Sequence, residues 1–156
     1  MPMLSLLCDS MADMVIRMII RTYSELITLP TFEERFRYLK LDGQVGAETF
    51  GFDRYLNQIF YQTDPEWKEV RDFVIVRDNG CDLAIDGYDI HDRIYVHHMN
   101  PISINDILDR TSYLLNPDFL ITTRHSTHNA IHYGDELLLM SLPVERTKND
   151  TCPWRH

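Results

Sequence analysis

Five of the seven histidines in this chain fall into two short groups whose spacing suits a metal site. His97 and His98 are adjacent, and His125, His128 and His132 follow about thirty residues later. On a helix, residues four apart share a face, so His128 and His132 project together. Two imidazoles from one helical face and a third from a neighbouring strand supply three ligands and leave a coordination position open. An open position is what separates a catalytic site from a closed structural one. The other histidine of the adjacent pair, His98, is then free to act as a base. A lone His-x-x-x-His pair is more often surface decoration than a ligand set, and a His-His doublet is weaker still. It is their conjunction in strand, turn, strand, helix order that carries the reading.

The elements needed to position these residues can be read from periodicity and punctuation. Apolar spacing predicts a helix from Ser10 to Leu29, broken by Pro30. Thr31 and Glu34 form a capping box for Phe32–Leu39. A third helix covers Phe52–Tyr61, with Tyr55, Leu56, Ile59 and Phe60 facing the core. Asp64 caps a fourth, with Pro65 at its first position; it runs to about Arg77 and stops at Asn79-Gly80. Beyond Gly80 the period shortens to two. Cys81–Ile85 and Arg93–His97 read as short strands joined through Asp86-Gly87. Ser103 caps a short helix through Leu108, and Asn116-Pro117-Asp118 make a turn. Phe119–Thr123 is strand-like, and Thr127–Tyr133 is a helix closed by Gly134. The fold class is therefore α+β. A helical part spans residues 1–61, a core spans 62–143 and a polar tail spans 144–156, together forming one compact domain.

Composition narrows the partners. The 156 residues suit one domain, and 44% hydrophobic with 25% charged residues is ordinary globular composition. Asp9, Asp13 and Arg17 interrupt the apolar start, so Met1–Ile20 fails as a membrane span. It also lacks the basic start and cleavage site of a signal peptide. The three cysteines, Cys8, Cys81 and Cys152, are odd in number and widely spaced, which points to a reducing, cytoplasmic setting. A net charge of −9 argues against tight, unaided binding to nucleic acid. Residues 61–100 are the most acidic stretch, with nine Asp/Glu against four Lys/Arg. Asp82, Asp86, Asp89 and Asp92 within it lack calcium-loop spacing and read as exposed acids.

The segments Tyr95-Val96-His97-His98-Met99-Asn100-Pro101-Ile102, Phe119-Leu120-Ile121-Thr122-Thr123 and Thr127-His128-Asn129-Ala130-Ile131-His132 resemble the signature of HNH endonucleases. Glu66-Trp67-Lys68, Arg71 and Arg77-Asp78-Asn79-Gly80-Cys81 resemble the entry to that signature, so the likeness covers roughly residues 62–134. Thr49–Tyr55 and His132–Glu136 look like small HNH proteins encoded by bacteriophages of Gram-positive hosts. The resemblance implies a ββα-metal core (the His-Me finger). It implies His97, His128 and His132 as ligands of a divalent ion (Zn, Mg, Mn or Ni) and His98 as general base. Arg124, just before the closing helix, is a candidate contact to the same phosphate. Two departures stand out. Phe119 occupies the position of the family's middle Asn, which helps orient the base, and Asn116 is the nearby candidate for that role. Of the paired CxxC motifs carried by many relatives only Cys81 is present, with Ala84, Arg124 and Thr127 at the other positions.

The function the resemblance implies is metal-assisted hydrolysis of DNA phosphodiester bonds by a phage-encoded enzyme working beside a packaging or replication protein. Two rivals stay open. One is a catalytically weak or inactive HNH-fold module that binds a phage or host protein around a structural metal. The other is a hydrolase acting on a small phosphorylated molecule, although no Gly-rich phosphate loop is visible.

Overall fold

The computed structural model describes residues 19–41, 54–85 and 88–139, with the side chains of 54–57 left out. Its helices are α1 (Tyr23–Leu26), α2 (Phe32–Leu39), α3 (Arg54–Thr63), α4 (Pro65–Arg77), α5 (Ile104–Asp109), α6 (Ser112–Leu115) and α7 (His125–Tyr133). The strands are β1 (Cys81–Asp82), β2 (Tyr88–Asp89), β3 (Ile94–His98) and β4 (Leu120–Arg124), and short 3-10 turns cover Pro117–Phe119 and Glu136–Leu139. Mixed helix with two small antiparallel sheets is the α+β class read from the sequence. No helix among the described residues is long and apolar enough to cross a membrane.

Several starts and stops follow from single residues. The Thr31–Glu34 capping box opens α2, and Asp64 accepts from the Trp67 N–H at the start of α4 with Pro65 behind it. Helix α4 ends where Asn79 and Gly80 both take positive φ, 55° and 66°. Ser103 and Asp106 cap α5 reciprocally, and Gly134 closes α7 in the left-handed conformation.

Pairing departs from the expected order. Cys81–Ile85 and Arg93–His97 do not form one hairpin. Instead β1 pairs with the two-residue β2, in register Cys81↔Asp89, and β3 pairs with β4 from Ile94↔Arg124 to His98↔Leu120. The turn expected at Asp86-Gly87 lies outside the described residues. The physical reason is that β4, buried at four of its five residues, carries Leu120 into one core and Ile121 into the other, whereas β1, Cys81–Asp82, has no comparable apolar surface to offer. The helix expected over Ser10–Leu29 lies partly outside the described residues; within them only Tyr23–Leu26 is helical. Before it, Asn100 grips the extended backbone of Arg21 at both ends, accepting from its N–H (2.8 Å) and donating to its carbonyl (2.9 Å). Ile59, expected in the core, is exposed, while Phe60 beside it is buried. Helix α6 lacks any side-chain cap bond, and sequence punctuation gave no sign of it.

The β3–β4 ribbon divides the interior in two. On one side Ile121 and Met99 pack with Leu26, Phe36, Leu39, Ala130 and Ile131. On the other Leu120 and Val96 pack with Phe60, Trp67, Val74 and Leu114. The outer edge of β4 is also closed. The Thr122 N–H donates to Asp78 Oδ2 (2.8 Å), and its carbonyl accepts from the Leu83 N–H (3.1 Å). Asp78 is held in turn by Arg77, whose guanidinium also donates to the Pro117 and Leu120 carbonyls and lies 3.7 Å from the Tyr23 ring centroid. One buried ion pair thus joins α1, α4, the 117–119 turn and β4. Removing one partner strands the other without compensation. We predict that Asp78→Ala costs roughly 3–5 kcal/mol of stability, read by urea denaturation. A loss below about 1 kcal/mol, the worth of a surface pair, would show that the pair is solvated.

Candidate metal centre

Alternation along β3 decides what each histidine can do. Successive side chains of a strand point to opposite faces, so His97 and His98 part company. His97, 1% exposed, turns toward α7, which packs on that face. There it meets His128 and His132 edge-on, with ring centroids 5.1 and 4.8 Å away. One ring nitrogen from each of the three lies within 4.8 Å of the others. His128 Nε2 and His132 Nε2 are 3.1 Å apart. Two nitrogens on a tetrahedral ion at about 2.0–2.1 Å would sit roughly 3.3–3.5 Å apart, so the helical pair is already near ligand spacing.

The chemistry of these donors fits a cation. His97 Nε2 is buried with no hydrogen-bond partner, and a buried polar atom left so is costly unless something else satisfies it. Burial, reinforced by the neighbouring imidazoles, drives the His97 pKa well below its ordinary value, lowers that of His128 and brings His132 down to about 4. All three rings are therefore neutral near pH 7, which a metal ligand must be. Three imidazole donors suit zinc, nickel or another borderline ion better than magnesium, which prefers oxygen.

His98 occupies the other face. Its ring stacks on Trp67 at 5.3 Å with a 16° interplanar angle. Nε2 lies 3.0 Å from the Leu114 carbonyl oxygen. A carbonyl only accepts, so Nε2 carries the proton and Nδ1 keeps a lone pair. The Tyr61 hydroxyl is 3.5 Å from that Nδ1. Burial raises the Tyr61 pKa to about 12, so the phenol stays protonated, and burial lowers His98 to about 4. Asn116 does not orient this ring: its side chain accepts from the Asp118 N–H and caps the 117–119 turn. The orienting group is the Leu114 backbone, delivered by α6. Neither composition nor motif marks a backbone carbonyl, which is why sequence reasoning missed it. Phe119, where the resemblance read from the sequence expects an Asn, stacks on Tyr113.

Both faces open into one cleft of about 810 Å³, lined by the three clustered histidines and, at its end, by His98, Tyr61 and Trp67. Arg124 is not brought there. Its guanidinium lies over Tyr88, and Nη1 donates to the Tyr88 hydroxyl at 2.7 Å. The position just before α7 gave no warning of this, because Tyr88 belongs to the strand that the sequence pattern did not reveal. His125 is exposed and His91 lies in the exposed loop before β3. Asp82, expected among the exposed acids, is 1% exposed. It accepts from the Ala84 and Arg124 N–H groups, tying the β1 turn to the start of α7, and burial raises its pKa.

Compared with protein-family models, with curated proteins and with solved structures, the chain gives no match. The site therefore rests on its own geometry, which makes a pH-dependent prediction. His98 and His132 sit at about 4 in the folded chain against 6.5 for a free imidazole. As pH falls through that window the unfolded chain takes up protons that the folded chain refuses, so stability is lost. The thermal midpoint of the chelated protein should fall between pH 7 and pH 5, above the range of ordinary carboxylates. A flat profile there would mean that the imidazoles are solvated.

Proposed function

We propose that this chain is a metal-dependent endonuclease of the HNH type, with β3, β4 and α7 as its ββα-metal core and DNA phosphodiester bonds as its substrate. The observation that carries the reading is the convergence of His97, from a strand, with His128 and His132, from the helix after its partner strand. A divalent ion held by these three would stabilise negative charge on the phosphoryl oxygens and on the departing oxygen.

The chain's own residues supply the rest. Leu114 fixes the His98 tautomer, so the Nδ1 lone pair is the proton acceptor and the attacking water is its donor. Trp67 restricts the ring to one plane, and the neutral Tyr61 hydroxyl lies beside the accepting nitrogen. A base at about 4 is weak at neutral pH. The negative charge of a phosphodiester bound beside it would raise that value toward neutrality, where general-base catalysis is most efficient. Arg124 plays no part in this scheme, since Tyr88 holds it outside the cleft.

A second reading, a binding module around a structural metal, is favoured by the inward packing of His98 on Trp67. Nicking of supercoiled plasmid with Zn, Ni, Mn and Mg in turn separates the two. His98→Gln, which keeps a donor for the Leu114 carbonyl, should slow nicking by about 10²–10⁴-fold while calorimetric zinc binding is retained. His128→Ala should weaken zinc binding itself. Full nicking by His98→Gln would remove His98 from the mechanism, and absence of nicking with every metal would leave the binding module.

A further inference from the structure

The distribution of charge around the cleft contradicts the chain's overall acidity. Of its residues 24 are Asp or Glu, yet no described carboxylate lines the cleft. Among the described residues its charged lining consists of Arg71 and Arg93, beside four neutral imidazoles. The most acidic stretch, 61–100, has just four cations. Arg77 is consumed inside the fold and Lys68 is exposed outside the cleft, so both of the others face the site. A wall whose described charges are both cationic, in a protein of net charge −9, creates a local well for an anion.

The two arginines flank the reacting position from different elements. Tyr95 and His97 share one face of β3, because residues two apart point the same way, and Arg93, just before the strand, lines the same cleft. At about 3.3 Å per residue, Arg93 leaves the chain roughly 13 Å from His97. Its guanidinium is 5.9 Å from the Tyr95 ring centroid, and the Tyr95 ring rests against His128 at 5.5 Å. Arg71 stands at the other end. It is one turn of α4 beyond Trp67, on whose ring His98 is stacked. Its only ion pair among the described residues is with exposed Asp72, a contact of the kind that contributes little and gives way to a better anion.

We infer that Arg71 and Arg93 hold backbone phosphates on either side of the reacting phosphodiester, so that the substrate is a polynucleotide strand running along β3. The inference rests on the nuclease reading and assigns its substrate contacts. A molecule with a single phosphate cannot span both arginines. The local positive wall replaces the basic face that the sequence lacks, and binding weakens with salt as a result, by about 0.7–0.9 in log–log slope for each arginine.

The test is binding of the full-length chain, in EDTA so that nothing is hydrolysed, to fluorescent 20-nucleotide DNA and RNA strands and a DNA duplex across a salt series. Arg71→Gln and Arg93→Gln should each lower the salt slope by about 0.7 on single strands or about 0.9 on duplex, with roughly five- to ten-fold weaker binding at 0.1 M salt. Lys68→Gln, on the same helix but outside the cleft, should leave the slope unchanged. Unchanged slopes in both arginine variants, or an equal drop in Lys68→Gln, overturn the assignment even where metal-dependent nicking is intact. Lowered slopes together with no nicking under any metal leave the arginine contacts standing and remove the nuclease reading.

Discussion

The β3–β4 ribbon has an apolar core packed on each of its faces, and this constraint shapes everything else in the molecule. A strand exposes alternate side chains to opposite sides, so a ribbon with a core on each side must place neighbouring residues in different environments. Leu120 belongs to one core and Ile121 to the other, and the same division separates His97 from His98. Two adjacent residues of identical chemistry are thereby given unlike surroundings: one among imidazoles against a helix, the other on an indole beneath a backbone carbonyl.

A ribbon in that position must also satisfy its backbone away from water. The outward groups of Thr122 bond to Asp78 and Leu83, and Asp82 receives the Arg124 N–H where β4 gives way to α7. These two buried carboxylates connect the end of α4 to the start of the ligand-bearing helix. The angle at which His128 and His132 approach His97 is therefore set by the 78–82 segment, remote in sequence from all three rings. The packing is apolar and hydrogen-bonded, and among the described residues Cys81 is a free thiol.

Dry surroundings serve chemistry as well as stability. Removing four imidazoles from water keeps them neutral, so that they can accept a cation or a proton without first losing one. The same exclusion of water strengthens any charge interaction within the cleft. Among the described residues the cleft walls carry two arginines and no carboxylate, although the chain as a whole is acidic.

Much of this was legible in the residues alone. Helix spacing placed His128 and His132 on one face, because a 3.6-residue period is a local property of the backbone. The capping box at Thr31, the stop at Asn79-Gly80 and the close at Gly134 are local for the same reason. The grouping of His97 with the helical pair followed from element order. What required the tertiary structure was every choice between competing non-local partners. These include the pairing of β3 with β4 rather than with β1, the capture of Arg124 by Tyr88, and the orientation of His98 by a carbonyl sixteen residues away. Backbone groups have no sequence signature, and the pairing of strands is decided by how much apolar surface each match buries. Both become visible once the chain is packed against itself.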